Sequence, residues 1–386
     1  AARQEAEAAQ QRVRPAGALE DPMLEAGFVN VPLPLSLRRD DMTMKMLGLS
    51  QKLPFPGKRD LRRAAATADA ASVAQAVNET TNRVVRDVRV AYEELCMVTT
   101  SERLVRQTRE TLRELVSIAQ ARYALGQAAQ SDVLQAQTQV VRMQQDLLRL
   151  TQEKTTRQSE LKRLLGRHAP DAPVTPRVAI LLKLRADPAT LSKQAQDQRP
   201  QLRALDALVE KNDRALELAR REYYPDFEVR LGYGQREATL EGVPRDDMVT
   251  LTVTVNLPIW RKDRLGPRVA EARAMRAEAA SLADAQRLET QAMLEQQLAA
   301  ERQLRESAVL YNSTLLPQTR AAVESALAAY RVGRVDFLTL LEAQMREYET
   351  VMGETEVIAN HNKAIHEIDF LTGYAPGVTT AEGTKP

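Results

Sequence analysis

Few residues in this chain have the types and spacing for chemistry. Met42, Met44 and Met46 alternate along a strand-like stretch, so their thioethers share one face. Soft sulfur in a row suits Cu(I) or Ag(I), although methionine is also common core filler. His361 and His366 are five apart, about 140° around a helix, and do not converge on one ion. His168 sits in a proline-rich break. Cys96 is the only cysteine, which excludes an intrachain disulfide and leaves a small apolar residue on a helix. There is no phosphate-cradling glycine loop, no Cys/His pair and no metal-ligand cluster, so no enzyme, metal or cofactor site is expected. The 54 basic and 52 acidic residues are well mixed, giving a net charge of +2 and no basic stripe for nucleic acid.

The remaining candidates are carboxylates that follow two glycines. Arg122-Tyr123-Ala-Leu-Gly126 leads to Asp132, Leu134, Ala136 and Gln137; 207 residues on, Tyr330-Arg-Val-Gly333 leads to Asp336, Thr339, Leu341, Glu342, Ala343 and Gln344. Tyr, Gly, Leu, Ala and Gln match without a gap. Each copy breaks a helical pattern at its glycine and restarts it, which predicts two helix–turn–helix tips with a left-handed residue at each turn. A match this long indicates internal duplication.

The elements positioning these tips follow from periodicity and breakers. Residues 1–20 hold a partial helix stopped at Pro15 and Gly17; residues 21–58 hold a first strand pair. Within them, Phe28 to Leu37 reads as extended and Asp41 to Leu53 as strand, ending at Leu53-Pro54-Phe55-Pro56-Gly57-Lys58. Residues 59–165 form a hairpin with its tip near 126 and an outgoing helix of ~65 residues and ~100 Å. An irregular segment (166–190) and a helix (191–222), with an expected interruption at Pro200, lead to a second strand pair (223–262). The second hairpin (263–373) has its tip near 333 and an expected kink at Pro317. Residues 374–386 read as a disordered tail. Length bookkeeping gives a long body with strands at one end and tips at the other.

The strands constrain the solvent. Val249, Leu251, Val253, Val255, Leu257 and Ile259 alternate with Thr250, Thr252, Thr254 and Asn256. Such a ribbon suits a barrel wall, greasy outside and wet inside, or a soluble sheet buried on one face. Four strands are too few to close a barrel, and open edges cannot sit in lipid, so the barrel reading requires three chains and twelve strands. No apolar run reaches the length of a transmembrane helix, and Ala1-Ala2-Arg3-Gln4 is neither a signal peptide nor a lipidation site.

Two strand pairs, two hairpins and the doubled Tyr-x-x-Gly…Ala-Gln tip resemble the TolC-type outer membrane factors of tripartite efflux pumps, over essentially the whole chain. Leu315-Leu-Pro317-Gln before Tyr330 resembles the family's approach to its second tip, and Tyr224-Pro225-Asp226-Phe227 the start of its third strand. Asp21-Pro22-Met23-Leu24 and Gly48-Leu-Ser-Gln51-x-Leu-Pro-x-Pro-Gly57-Lys58 are similar to the heavy-metal branch, the cobalt–zinc–cadmium and copper–silver exporters. The resemblance implies a mostly α fold with a small β part: a long α-helical barrel on a trimeric twelve-stranded β-barrel in the bacterial outer membrane, extending into the periplasm. It implies, as partners, a periplasmic adaptor (membrane fusion) protein and an inner-membrane RND transporter, and a passive duct with no cofactor. By the same resemblance Arg122, Tyr123, Gly126, Tyr330 and Gly333 would meet the adaptor, and Asp132, Asp336, Thr339 and Glu342 would surround the periplasmic aperture; the alternatives are that the two tyrosines pack under their turns and that the carboxylates are solvated helix starts. At the second tip Thr339 replaces the matching Asp132, which shifts an acidic ring to Glu342 or Asp336. The rival reading is a soluble periplasmic coiled-coil adaptor or bridging protein.

Overall fold

The computed structural model describes residues 1–33, 35–167 and 174–374. The chain divides into two compact units, Ala1–Val77 with Pro200–Gln286, and Asn78–Arg199 with Arg287–Pro386.

The first unit contains α1 (Ala2–Gly17), β1 (Met23–Val29), β2 (Met44–Leu53), α5 (Pro200–Arg221), β3 (Phe227–Gln235) and β4 (Met248–Val255). It also holds the beginnings of two helices that continue into the second unit: α2 (Lys58–Ala124, 67 residues) and α6 (Gly266–Leu310). The strands form one antiparallel sheet in the order β1-β2-β3-β4. The pairings Leu24↔Leu49, Leu49↔Leu231 and Leu231↔Leu251 run one apolar row across all four strands. Phe28, Leu47, Tyr233, Val249 and Val253 extend that face, and Leu24 (70% exposed) and Leu251 (68%) show that no described residue of the unit covers it. The opposite face carries Glu25, Lys52, Glu228, Arg230 and Thr252. Arg230 is paired there with Glu25 (3.2 Å) and Glu228 (3.4 Å). At the foot of the sheet, buried Lys58 donates to Asp226 (2.8 Å) and the Tyr224 carbonyl (2.8 Å), while Asp226 also accepts Phe55 N–H. Phe55 stacks on Tyr224 at 4.7 Å. The proline stop after β2 is thus tied to the Tyr224-Pro225-Asp226 entry of β3. Below them Lys211 pairs with Asp69 (2.8 Å), Arg276 with Asp213 (2.9 Å) and Arg268 with Glu222 (3.0 Å), so α5 bridges α2 and α6.

The second unit holds the rest of α2 and α6 with α3 (Gln130–Leu164), α4 (Pro188–Gln198), α7 (Leu316–Arg331) and α8 (Phe337–Leu371). Its main core joins Val105, Leu112 and Ala119 of α2 and Ala136, Met143 and Leu147 of α3 with Tyr330, Phe337 and Leu340. Val105, Leu112 and Ala119 recur every seven residues, so a single stripe of α2 fills this core. A second cluster sets Leu191 of α4 against Leu294 of α6 and Ile368 and Leu371 of α8.

Several expectations are corrected. The first strand is Met23–Val29, not the stretch from Phe28 to Leu37, because Leu24, Ala26 and Phe28 supply the alternation that pairs with β2. Met42 lies in a turn, with its N–H on Asp40 Oδ1 (2.7 Å), so only Met44 and Met46 share a strand face. The first helix passes Pro15, where a missing donor in the last turn costs one bond. The interruption expected at Pro200 is present, with Arg199 in extended backbone between α4 and α5, but the helical stretch starts at Pro188 rather than 191. Ahead of Pro317 the chain makes a five-residue π-helical turn (Tyr311–Leu315), so the proline falls in the first turn of a new helix. A Cβ at Gly353 would stand 2.6 Å from the Tyr311 Oη, which shows how closely that turn meets α8. A second π turn, Arg261–Leu265, precedes α6. His168 and residues 375–386 lie outside the described residues. Tyr374, expected in a disordered tail, lies under the Arg185 guanidinium at 3.9 Å.

Across the first hairpin, Glu102 of α2 accepts Lys154 Nζ of α3 at 2.8 Å and the neighbouring Arg106. Hydrogen bonds from Lys154 and then Arg106 hold its carboxyl below the usual range. A depressed carboxylate contributes stability above its unfolded value of about 4.3, and that contribution is lost as pH falls through the folded value. Glu102→Gln should therefore lower thermal stability at pH 7 and flatten its decline between pH 5 and 3; parallel melting-temperature curves for the two proteins would show that the pair contributes nothing.

Candidate functional site

Both tips are built by the same backbone. Gly126 (φ 71°) and Gly333 (φ 72°) end α2 and α7 in the left-handed region. Gln127 N–H returns to Arg122 O (2.9 Å) and Gly126 N–H to Tyr123 O (2.9 Å). Arg334 N–H and Gly333 N–H return likewise to Ala329 O (2.9 Å) and Tyr330 O (3.0 Å). This paired closure satisfies the last helical carbonyls and needs a residue without a Cβ penalty.

The side chains differ between the copies. Asp336 caps α8, accepting Thr339 N–H at 3.0 Å and the Thr339 hydroxyl, and these bonds hold its carboxyl low. The matching residue before α3 is Ala129, which has no side-chain cap, and the acid appears three positions later as Asp132. The exchange of Asp132 for Thr339 is thus a change of capping partner, with the carboxylate moved to the cap itself. Tyr330 is buried (3% exposed) and meets Phe337 edge-on at 5.6 Å, whereas Tyr123 is 48% exposed. Arg122 joins the tips: its guanidinium lies 4.5 Å from the Tyr330 ring centroid, and Nη1 donates to the Tyr330 carbonyl. Burial raises the Tyr330 phenol, Arg122 opposes that shift, and nearby Asp132 adds to it. The fold therefore gathers Arg122, Tyr330 and Asp132.

Glu342 stands apart from them. With Thr339 and Arg346 it lines a groove of about 400 Å³ against Ala322, Ala326 and Ala329 of α7. Small residues on α7 keep that groove open.

Sequence reasoning missed a set of buried polar contacts elsewhere in the second unit. His361 Nε2 faces Glu301 at 3.2 Å, Asn362 donates to Glu93 (3.0 Å), and His366 faces the same Glu93 at 3.5 Å. The two histidines indeed serve different partners. Cys96 is buried, and desolvation followed by Glu93 pushes its thiol to about 11. Arg199, at the helix break, donates to Thr290 (2.7 Å) and Glu79 (3.4 Å). Only unusual polarity within otherwise apolar stripes signals these residues, because their partners are distant in sequence.

The family model for outer membrane efflux protein matches residues 1–167 and 191–373, and the chain belongs to that family. Its members are non-enzymatic channels of the bacterial outer membrane reaching into the periplasm, which sets aside the soluble adaptor. The fold is similar to CusC (TM-score 0.82, 15% identity, covering 97% of this chain and 88% of that one). It is also similar to the outer-membrane channel OprN (TM-score 0.81, 17% identity, 97% and 86%). The CmeC channel of Campylobacter jejuni follows at TM-score 0.78 and 14% identity, covering 96% and 82%. In sequence, 131 residues are 28% identical to the multidrug resistance outer membrane protein MdtP of Shigella flexneri, covering 34% of this chain and 27% of MdtP. The matched part thus spans about a quarter of that relative.

A β-branched residue at φ near +70° is strained by roughly 1–2 kcal/mol. Gly126→Val and Gly333→Val should each accelerate amide hydrogen exchange about 5- to 30-fold at the altered tip, leaving exchange in the sheet unchanged. Unchanged exchange at the tip would mean the turn adapts without the left-handed residue.

Proposed function

We propose that this protein is the exit duct of a tripartite efflux system. It passively conducts substrates, heavy-metal cations foremost, from a periplasmic adaptor and an inner-membrane RND transporter across the outer membrane. The observation that carries this reading is the sheet, with one uncovered apolar face, one polar face and two open edges at β1 and β4. Open edges in lipid have no water to bond, so neighbouring copies complete the ring; three chains give twelve strands. The metal assignment rests on the Asp21-to-Leu24 and Gly48-to-Lys58 motifs that resemble the heavy-metal branch. Arg122, Tyr123, Gly126 and Gly333 form the adaptor-facing tips, with Tyr330 packed beneath Arg122 to support them. Asp132, Thr339 and Glu342 border the aperture, with Asp336 engaged as the cap that shapes it.

Two experiments test this. Val253→Arg should abolish recovery of a detergent-extracted trimer from outer membranes, whereas Thr252→Arg should assemble. A cation at mid-membrane facing lipid costs roughly 2–4 kcal/mol, and one facing water costs little. Equal yields, or a stable monomer in detergent, would overturn the barrel. In planar bilayers, Glu342→Gln with Asp132→Asn should lower cation preference and blunt divalent block, because carboxylates around one axis concentrate cations. Unchanged selectivity would remove both from the aperture.

A further inference from the structure

The polar face of the sheet has one upper row that is neither charged nor hydroxylated. Its lower rows carry Lys52, Glu228, Arg230, Thr252 and Thr254. Higher up, the register runs Gly27–Met46–Gly234–Met248 across the four strands, and Glu25–Gly48–Gly232–Thr250 lies next to it. Met44 follows on the same face of β2. Its Sδ lies 2.6 Å from where a Cβ of Gly234 would stand, and the Met46 methyl lies 3.9 Å from the corresponding point at Gly232. A Cβ at Gly27 would meet nothing within 4 Å, so open space flanks Met46. Met44 is buried, Met46 is half-buried and Met248 is 40% exposed.

Two features set this patch apart from core filling. Glycine inside a strand weakens it and often marks close approach of a ligand or another backbone; here Met44 lies over Gly234 and Met46 reaches Gly232. The face is otherwise polar, so apolar burial alone does not select methionine there. Thioether sulfur favours soft monovalent cations over Zn²⁺ or Mg²⁺. It also has no proton to lose, so its affinity does not fall in acid as that of imidazole or thiolate does.

We propose that Met44, Met46 and Met248 form a thioether subsite for Cu(I) or Ag(I) on this glycine-floored patch. Its role in passage, though not the binding itself, rests on the reading that this face lines the duct. There it offers a passing soft cation a weak, proton-independent stopping point.

The test is Ag(I) titration of the purified, detergent-solubilised protein in a Cys96→Ala background, which removes the only thiol. Wild-type methionines should bind Ag(I) with the same affinity at pH 5 and pH 7, and X-ray absorption should show two or three sulfur neighbours. The combined Met44→Leu, Met46→Leu and Met248→Leu variant keeps the volume and should lose at least tenfold in affinity along with the sulfur shell. Met143→Leu, in the hairpin core, should change neither. Equal binding by the triple variant, an oxygen or nitrogen shell, or affinity that falls at pH 5 would overturn the site. Labelling Thr252→Cys and Val253→Cys in intact outer membranes with a hydrophilic thiol reagent, with and without channel-blocking cations, tests the duct separately. Reaction of the Val253→Cys variant alone would sink the duct reading while leaving the thioether site standing.

Discussion

A strand at the edge of a sheet leaves half its amides and carbonyls without partners, and the rest of this molecule's logic depends on that constraint. β1 and β4 are such edges, and the face they share is apolar from Leu24 to Leu251. In water the apolar face would be the liability; in the outer membrane it is the matching surface, and the edges become the liability. Under the proposed closure by neighbouring copies, every polar residue on the inner face is repeated around an axis. Modest local features such as the Glu25–Arg230–Glu228 ladder then act as rings.

The duplication shows which demands a repeat preserves. Both tips keep a glycine near φ +70° and the same pair of returning hydrogen bonds, because backbone closure has few solutions. Their side chains have diverged. One copy caps its return helix with Asp336; the other starts from Ala129 and carries Asp132 inside the first turn. One tyrosine is buried beneath Arg122 and the other faces outward. A repeat that began symmetric now has one tip that packs and one that is presented.

Long helices with alanine-rich stripes can slide past one another by a turn at little cost in apolar contact. The second unit contains buried layers that penalise such slippage: Arg199 with Glu79 and Thr290, Asn362 between Glu93 and the backbone of Ile180, and His361 on Glu301. A shifted helix would bury these groups without partners, which is costly in a medium of low polarity. Asn82 on the Phe370 carbonyl (3.0 Å) and Arg89 on Asp369 (3.2 Å) continue the series down α8. Polar layers of this kind set register, the role best attested for buried polar residues in coiled coils.

Periodicity and breakers are local properties, so the sequence alone determined what depends on them. The duplicated tips, the lengths of α2, α3 and α8, the alternating faces of β3 and β4 and the break at Pro200 were all legible from residue spacing. The first strand was misplaced because Met23–Val29 is short and follows a proline, and its pairing with β2 cannot be read from its own residues. The strand order, the pairing of β2 with β3 across the two halves, and the Gly–Met–Gly rows depend on contacts between residues nearly two hundred positions apart. The bridge from Arg122 to Tyr330 and the acidic partners of His361 and His366 are likewise non-local, the nearest of them 60 positions apart. No local signal encodes such pairings; they exist only once the two repeats fold against each other, and tertiary structure alone decided them.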